Sequence, residues 1–407
     1  MRETIARLPG SKIREVANAG LGRDDVLAFW FGESDEVTPE PVRRAAADSL
    51  MRGETFYSHN LGLAELREAL RGYTAALHGD PGPDRIAVTS SGVSALMTAM
   101  QWLVDPGDEV VVVVPVWPNL PAQPEILGGC VTRVALAPDA QGAWRLDLQR
   151  LLDAVTPATR VLLLNAPNNP TGWTLTRTEQ QALLAHCRRT GTWIVADEVY
   201  DRVWFGTETV GPLTPAASPP EGGSPAWGGP ARAAAPSFLD IASPDDRLVV
   251  VHSFSKSFLM TGWRLGWLVL PAGQLDAVGK LIEFNSSCAP VFVQRGGLAA
   301  LACADEFVPQ LIARLKAGRD ALCPLLAAIP GVQSATPQGG MYAFFRVPGA
   351  DDSLVFAKRL VTEVGLGLAP GAAFGIEGEG WLRWCFASQD TARLVAGVDR
   401  LRAALRL

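Results

Sequence analysis

Of the five lysines in this 407-residue chain, Lys12, Lys256, Lys280, Lys316 and Lys358, only Lys256 follows a run that reads as a buried strand. It stands in Ser253-Phe254-Ser255-Lys256-Ser257-Phe258-Leu259-Met260-Thr261-Gly262-Trp263-Arg264-Leu265-Gly266-Trp267. Desolvation disfavours the ammonium ion, and the neutral amine is the form that attacks a carbonyl carbon, so a lysine buried there suits imine chemistry. Taken alone it reads more plainly as a surface lysine on a connecting loop. Arg383 is the lone cation of Trp381-Leu382-Arg383-Trp384-Cys385-Phe386. A planar guanidinium grips a carboxylate through two parallel hydrogen bonds, and the ordinary alternative is a structural ion pair. Ser91-Gly92-Val93 opens a helix directly after a strand. Backbone N–H groups and the helix dipole there can face a phosphate, although a lone glycine turn is a weak signal.

The elements that must position these residues are legible as alternating periods. Asp84 to Thr89 is a short apolar stretch, and Val93 to Val104 repeats apolar residues at helical spacing. Glu109 to Pro115, Arg160 to Leu164, Trp193 to Ala196 and Leu248 to His252 read as strands buried on both faces, with a helix over Glu179 to Arg189. Such strands separated by helices predict an α/β fold, a large three-layer αβα domain with a mainly parallel sheet over 46–294. From about 295 the texture changes: amphipathic helices over Ala299 to Ile329 and Leu354 to Val364 frame short strands at Gly340 to Val347 and Trp381 to Phe386. A smaller α+β domain, built from 295–407 together with 1–45, is expected. Gly206 to Pro236 is too rich in glycine and proline for a regular element and is expected to be a long surface loop.

Composition narrows the partners. Hydrophobic residues at 48% against 19% charged exclude a mainly disordered chain, and no stretch of about eighteen uninterrupted apolar residues offers a membrane span. A net charge of −6 gives no general attraction to nucleic acid or anionic lipid, so a small molecule is the expected partner. Met1-Arg2-Glu3 leads into no apolar signal region; the six cysteines (Cys130, Cys187, Cys288, Cys303, Cys323, Cys385) are scattered, and no metal-ligand spacing appears among them and four histidines. A cytoplasmic protein with free thiols and no metal is expected.

In chain order these features resemble the class I/II aminotransferases, pyridoxal-phosphate enzymes of fold type I. The resemblance is carried by Gly32, Tyr57 with Gly62, Ser91-Gly92, Trp117, Asn168-Asn169-Pro170-Thr171-Gly172, Asp197-Glu198-Val199-Tyr200, the lysine segment, Pro370-Gly371-Ala372-Ala373-Phe374-Gly375 and Arg383. It implies the cofactor pyridoxal 5'-phosphate, with Lys256 as the lysine that bonds to it and later shuttles the substrate proton. Asp197 becomes the carboxylate that keeps the ring nitrogen protonated, which an electron sink requires. Asn169 and Tyr200 would hold the phenolic oxygen, Trp117 would stack on the ring, and Ser91, Gly92, Val93, Ser253 and Arg264, with Ser255 a further candidate, would hold the phosphate. Tyr57 would reach the phosphate of the neighbouring subunit, which implies a homodimer with shared sites. Arg383, Asn169 and the backbone of Gly32 would hold the substrate. The implied reaction moves an α-amino group between an L-amino acid and a 2-oxo acid by a ping-pong mechanism.

Two departures stand out. Val93 occupies the position where bacterial relatives selective for dicarboxylates often carry lysine, so with Trp30, Phe31 and Trp117 on the expected substrate side the pocket is expected to favour apolar or aromatic side chains. The Gly206 to Pro236 segment is longer than the family usually carries. Two other functions share the fold: an amino acid β-lyase, because one cofactor supports several carbanion fates, and the non-catalytic effector domain of a transcription regulator. The resemblance starts near Gly32, which leaves no room for a DNA-binding domain ahead of it.

Overall fold

The apolar runs become the interior strands of one sheet in the computed structural model, which describes residues 1–206 and 233–406. The strands are β1 (Ile86–Thr89), β2 (Glu109–Val114), β3 (Cys130–Ala135), β4 (Thr159–Asn165), β5 (Trp193–Asp197), β6 (Leu248–Ser253) and β7 (Gly266–Val269), in the order β1-β7-β6-β5-β4-β2-β3. Neighbours pair in parallel except β7, which is antiparallel to β1 and β6. Alternate side chains leave for opposite faces, so Val111 and Val113 enter one core while Val110, Val112 and Val114 enter the other. Helices Ala64–His78, Arg177–Thr190 and Val291–Ala302 cover the first face; Gly92–Leu103 and Leu275–Ser286 cover the second. Register then gathers the chemistry at one edge: Asn165 lies opposite Asp197, Asp197 opposite Val251, and Gly266 opposite both Ser253 and Thr89. Ligands of open α/β sheets bind at this edge, outside the carboxyl ends of the strands.

A second, antiparallel sheet contains β8 (Gln333–Ser334), β9 (Tyr342–Arg346), β10 (Ala369–Pro370) and β11 (Trp381–Cys385), in the order β8-β9-β11-β10. Its core takes Leu311, Leu315 and Leu322 from helix Ala304–Ala327 and Phe356 and Leu360 from helix Ser353–Val364. The N-terminal segment reaches it by pairing Leu27–Ala28 in parallel with Leu366–Gly367, which leads Gly32 toward the sheet edge. No helix among the described residues is long and apolar enough to cross a membrane.

Several expectations change. The helix expected over Ala299 to Ile329 is two, Val291–Ala302 and Ala304–Ala327, divided at Cys303. The boundaries drawn at 45/46 and 294/295 therefore fall inside helices Glu40–Met51 and Val291–Ala302, whose Val42 and Val293 both pack in the core of the large sheet. Strands β3 and β7 had no reading as strands; β3 lies at the edge, where its mixed burial breaks the apolar run, and β7 has only four residues. Residues 207–232 of the expected surface loop lie outside the described residues. Its C-terminal end is buried rather than exposed: Ala235 N–H donates to Asp201 O at 2.7 Å, and Gln180 Nε2 donates to Pro236 O at 2.9 Å.

Behind β5 sits a buried polar cluster. Asp240 lies 2.8 Å from His78 Nδ1 and accepts from Arg177 Nη2 at 2.5 Å, while Glu198 accepts from Ser237 Oγ at 2.5 Å and Phe238 N–H at 3.1 Å. Burial pulls the His78 imidazolium down, but its bond to Asp240 and the charges of Asp240, Glu198 and Asp201 outweigh that and leave its pKa raised. The stability this pairing contributes is fully present below about pH 6.5, the unfolded value, and is lost as pH rises through the raised folded value. Asp240→Ala should therefore destabilise the fold by about 3–5 kcal/mol near pH 6, where a buried charge is left unpaired. Urea denaturation should show that loss shrinking as pH rises through the raised folded value; a loss independent of pH would contradict the pairing.

Candidate active site

Lys256 lies three residues beyond the end of β6, and its Nζ donates to Gly32 O at 2.6 Å. Burial pulls its ammonium down to about 8; Cys385 and Glu33 oppose that, and the cations Arg383 and Arg264 add to it. Asp197 ends β5 at 4% exposure. Val199 N–H reaches its Oδ1 at 3.4 Å, and it has no ion-pair partner among the described residues. Burial pushes this carboxyl up to about 7, against the pull of that N–H and of the Lys256 charge. A buried acid so placed calls for a cationic ligand.

Asn165, which the sequence reading missed, ties the neighbouring turn to this acid. Its Nδ2 donates to Asp197 O at 3.0 Å, and its Oδ1 accepts from Asn169 N–H at 2.8 Å. Asn169 Oδ1 then accepts from Arg383 Nη1 at 2.9 Å, and Trp30 O accepts from Arg383 Nη2 at 2.5 Å. The buried guanidinium lies 4.4 Å from the ring centre of Tyr342 and 4.9 Å from that of Phe374, with Nε unpaired. No carboxylate pairs with it among the described residues. Tyr200, also buried, places its hydroxyl 2.7 Å from that of Tyr342, a second residue that sequence reasoning missed. The available signal was a tyrosine at the head of the apolar run Ala343-Phe344-Phe345, one of only four in the chain.

At the other end, Ser91 caps helix Gly92–Leu103 by accepting from Ser94 N–H at 3.0 Å. Ser253 Oγ lies 2.9 Å from Ser255 Oγ, which lies 3.5 Å from Arg264 Nη1. Arg264 is exposed and takes a left-handed backbone (φ 57°), an uncommon conformation for a residue with a side chain. Strand β7 presses so close that a Cβ on Gly266 would lie 2.5 Å from Gly92 N. Val93 and Trp117 are half-buried, and Val116 N–H, beside Trp117, donates to Phe374 O at 3.0 Å. Tyr57 stands outside this cluster, 88% exposed. Trp30 departs from the expectation: its ring packs in the second core, with a Cβ on Gly367 only 2.2 Å from it, and only its carbonyl faces the site. An indole gains more by filling that core than by lining a wet cleft. Phe31 is 38% exposed, with the Arg14 guanidinium 6.0 Å from its ring.

The model of the family described as aminotransferase class I and II matches residues 25–401. The chain belongs to this family. It is 31% identical over 402 residues to an aspartate aminotransferase of Thermotoga maritima, covering 98% of this chain and 97% of the relative. It is 28% identical over 408 residues to an aromatic-amino-acid aminotransferase of Thermococcus litoralis, covering 97% and 94%. Its fold matches an aspartate aminotransferase single mutant of Thermus thermophilus with a TM-score of 0.86 at 27% identity, covering 99% of both chains. As a class I/II aminotransferase, it depends on pyridoxal phosphate.

The residues present fit that cofactor. Asp197, with no ion-pair partner among the described residues, would face the ring nitrogen; the hydroxyls of Ser253 and Ser255, the start of helix Gly92–Leu103 and Arg264 would meet the phosphate; Lys256 follows directly on Ser255, its charge acts on Asp197, and that of Arg264 acts on it. Lys256→Ala in this aminotransferase should remove both turnover and the visible absorption of bound cofactor; a variant that keeps both would refute the role. Asp197→Asn should lower kcat by about 10²–10³, the loss seen when a preorganised charge is removed, with the circular dichroism spectrum unchanged.

Proposed function

We propose that this aminotransferase transfers the α-amino group of an apolar or aromatic L-amino acid to a 2-oxo acid by a ping-pong mechanism, in a homodimer whose subunits share their sites. What carries the reading of the chemistry is Arg383: a buried guanidinium with an unpaired Nε and no carboxylate partner among the described residues is a fork for the α-carboxylate of an incoming substrate. Asn169 and the Trp30 carbonyl aim that fork. Bound pyridoxal phosphate supplies the electron sink that makes the α-proton acidic. Lys256, held down to about 8, keeps a share of neutral amine near neutral pH and takes that proton on Nζ. Gly32 O, which holds Nζ at 2.6 Å, keeps the amine at the substrate side. Donor and acceptor both carry an α-carboxylate and use Arg383 in turn, which supports the ping-pong order.

The side-chain preference rests on Val93, an isopropyl group where a lysine would meet a second carboxylate, and on Glu33, whose charge acts on Lys256 and whose Oε2 accepts from Thr261 Oγ1 at 3.2 Å. A second substrate carboxylate would meet an apolar surface and a like charge, both unfavourable. The aromatic-amino-acid relative agrees with this preference, and the aspartate relatives do not. Specificity constants for phenylalanine and leucine should exceed that for aspartate by at least about tenfold, a difference of roughly 1.4 kcal/mol. A tenfold preference for aspartate would overturn it, and release of ammonia with pyruvate would point to a β-lyase instead.

Met51, Phe56 and Tyr57 are 86, 84 and 88% exposed, an apolar run that a second copy would cover. With Tyr57 on the partner's phosphate, dilution to monomer should release cofactor. Light scattering combined with an activity assay checks this, and a fully active monomer contradicts it.

A further inference from the structure

Tyr342 has no role in the reading above, yet it sits at the centre of the site. Its ring is the platform under the Arg383 guanidinium at 4.4 Å, and its hydroxyl lies 2.7 Å from that of Tyr200. The position is enforced from the other side: a Cβ on Gly32 would fall 2.1 Å from the Tyr342 hydroxyl, so only glycine lets the N-terminal segment pass. The residue is 1% exposed, and burial, first among several effects, pushes its phenol up to about 12. Both phenols are therefore protonated throughout the working range, with one proton shared between the two oxygens and one left for another acceptor.

We infer that Tyr342 is a positioning residue that donates its hydroxyl proton to Tyr200, so that the proton of Tyr200 is free and directed at the phenolic oxygen of bound pyridoxal phosphate. Hydrogen bonds in series polarise one another, and a phenol that accepts one becomes the stronger donor. Tyr200 would then favour the deprotonated form of the bound chromophore more than a lone tyrosine could.

The inference rests on the proposed cofactor site, and the test separates the two. The pH midpoint of the visible absorption of bound cofactor is measured in the wild type, Tyr342→Phe, Tyr200→Phe and the double variant, with KM and kcat for the best amino acid beside it. Phenylalanine keeps the ring under Arg383, so KM should stay within about twofold while the midpoint rises by roughly half to one unit, the worth of one neutral hydrogen bond. In the Tyr200→Phe background the same substitution should move the midpoint by less than about a third of that, because Tyr342 acts through Tyr200. An unmoved or lowered midpoint in Tyr342→Phe overturns the inference, a lowered one because Tyr342 would then be competing for the Tyr200 proton. An equal shift in both backgrounds overturns it as well. A wild type that binds no pyridoxal phosphate sinks the cofactor site itself, whereas a normal wild type with an unmoved variant sinks only the role of Tyr342.

Discussion

A buried carboxyl with no ion-pair partner among the described residues is the constraint on which the rest of this structure depends. Asp197 is 4% exposed and pushed up to about 7, and a carboxylate in that position weakens the fold unless something positive faces it. Its neighbours hold the acid in place without neutralising it. Asn165 binds the Asp197 carbonyl rather than its side chain, and Val199 offers a single long N–H contact. The chain thus keeps a charge deficit for a ligand whose ring nitrogen can fill it, and the strand register puts that deficit beside Lys256 and the serines after β6.

The two cations proposed for the site, Arg383 and Lys256, are both held by hydrogen bonds to neutral oxygens, with no carboxylate bonded to either among the described residues. Arg383 is buried on a carbonyl, an amide oxygen and two aromatic rings, and Lys256 is buried on a carbonyl. Elsewhere arginines are satisfied by acids, as in Arg314 with Glu36 and Arg71 with Asp80. Neutral oxygens and ring faces hold a cation's position while leaving its charge for substrate. This is the physical sense in which the site is prepared: the geometry is fixed by neutral groups, and the formal charges are left over.

The sequence showed most of this because burial writes itself into uninterrupted valine and leucine runs. β2, β4, β5 and β6, and the glycine turn before helix Gly92–Leu103, were readable for that reason, and Lys256, Asp197 and Arg383 stood out as charges beside or within apolar strands. What was not readable depends on contacts between distant segments. Tyr342 looked like any strand aromatic, and Asn165 like the end of a strand, until folding placed them 2.7 Å from Tyr200 Oη and 2.8 Å from Asn169 N. Trp30 was misplaced because its direction is set by a distant segment: Leu27–Ala28 pairs with Leu366–Gly367, and two residues on, the Trp30 ring lies over Gly367 in the second core. β7 escaped notice because four apolar residues after a glycine do not distinguish a strand from a turn.

The tie between Tyr200 and Tyr342 is not left to side-chain packing. Beyond Tyr200 the chain runs Arg202-Val203-Trp204-Phe205 along Gln338-Gly339-Gly340, with Gly340 N–H donating to Val203 O and Phe205 N–H to Gln338 O, both at 2.8 Å. One tyrosine lies three residues before the start of this bridge and the other two residues after its end, so backbone hydrogen bonds fix the separation of the two hydroxyls. Arg319 stacks on Phe205 at 4.5 Å and donates to Pro337 O, closing the bridge from outside. The small sheet, which carries Arg383, and the large sheet, which carries Asp197 and leads into Lys256, are thereby joined beside these residues. A substrate held by Arg383, as proposed, would then be positioned against Lys256 by main-chain geometry, which is stiffer than any pair of long side chains.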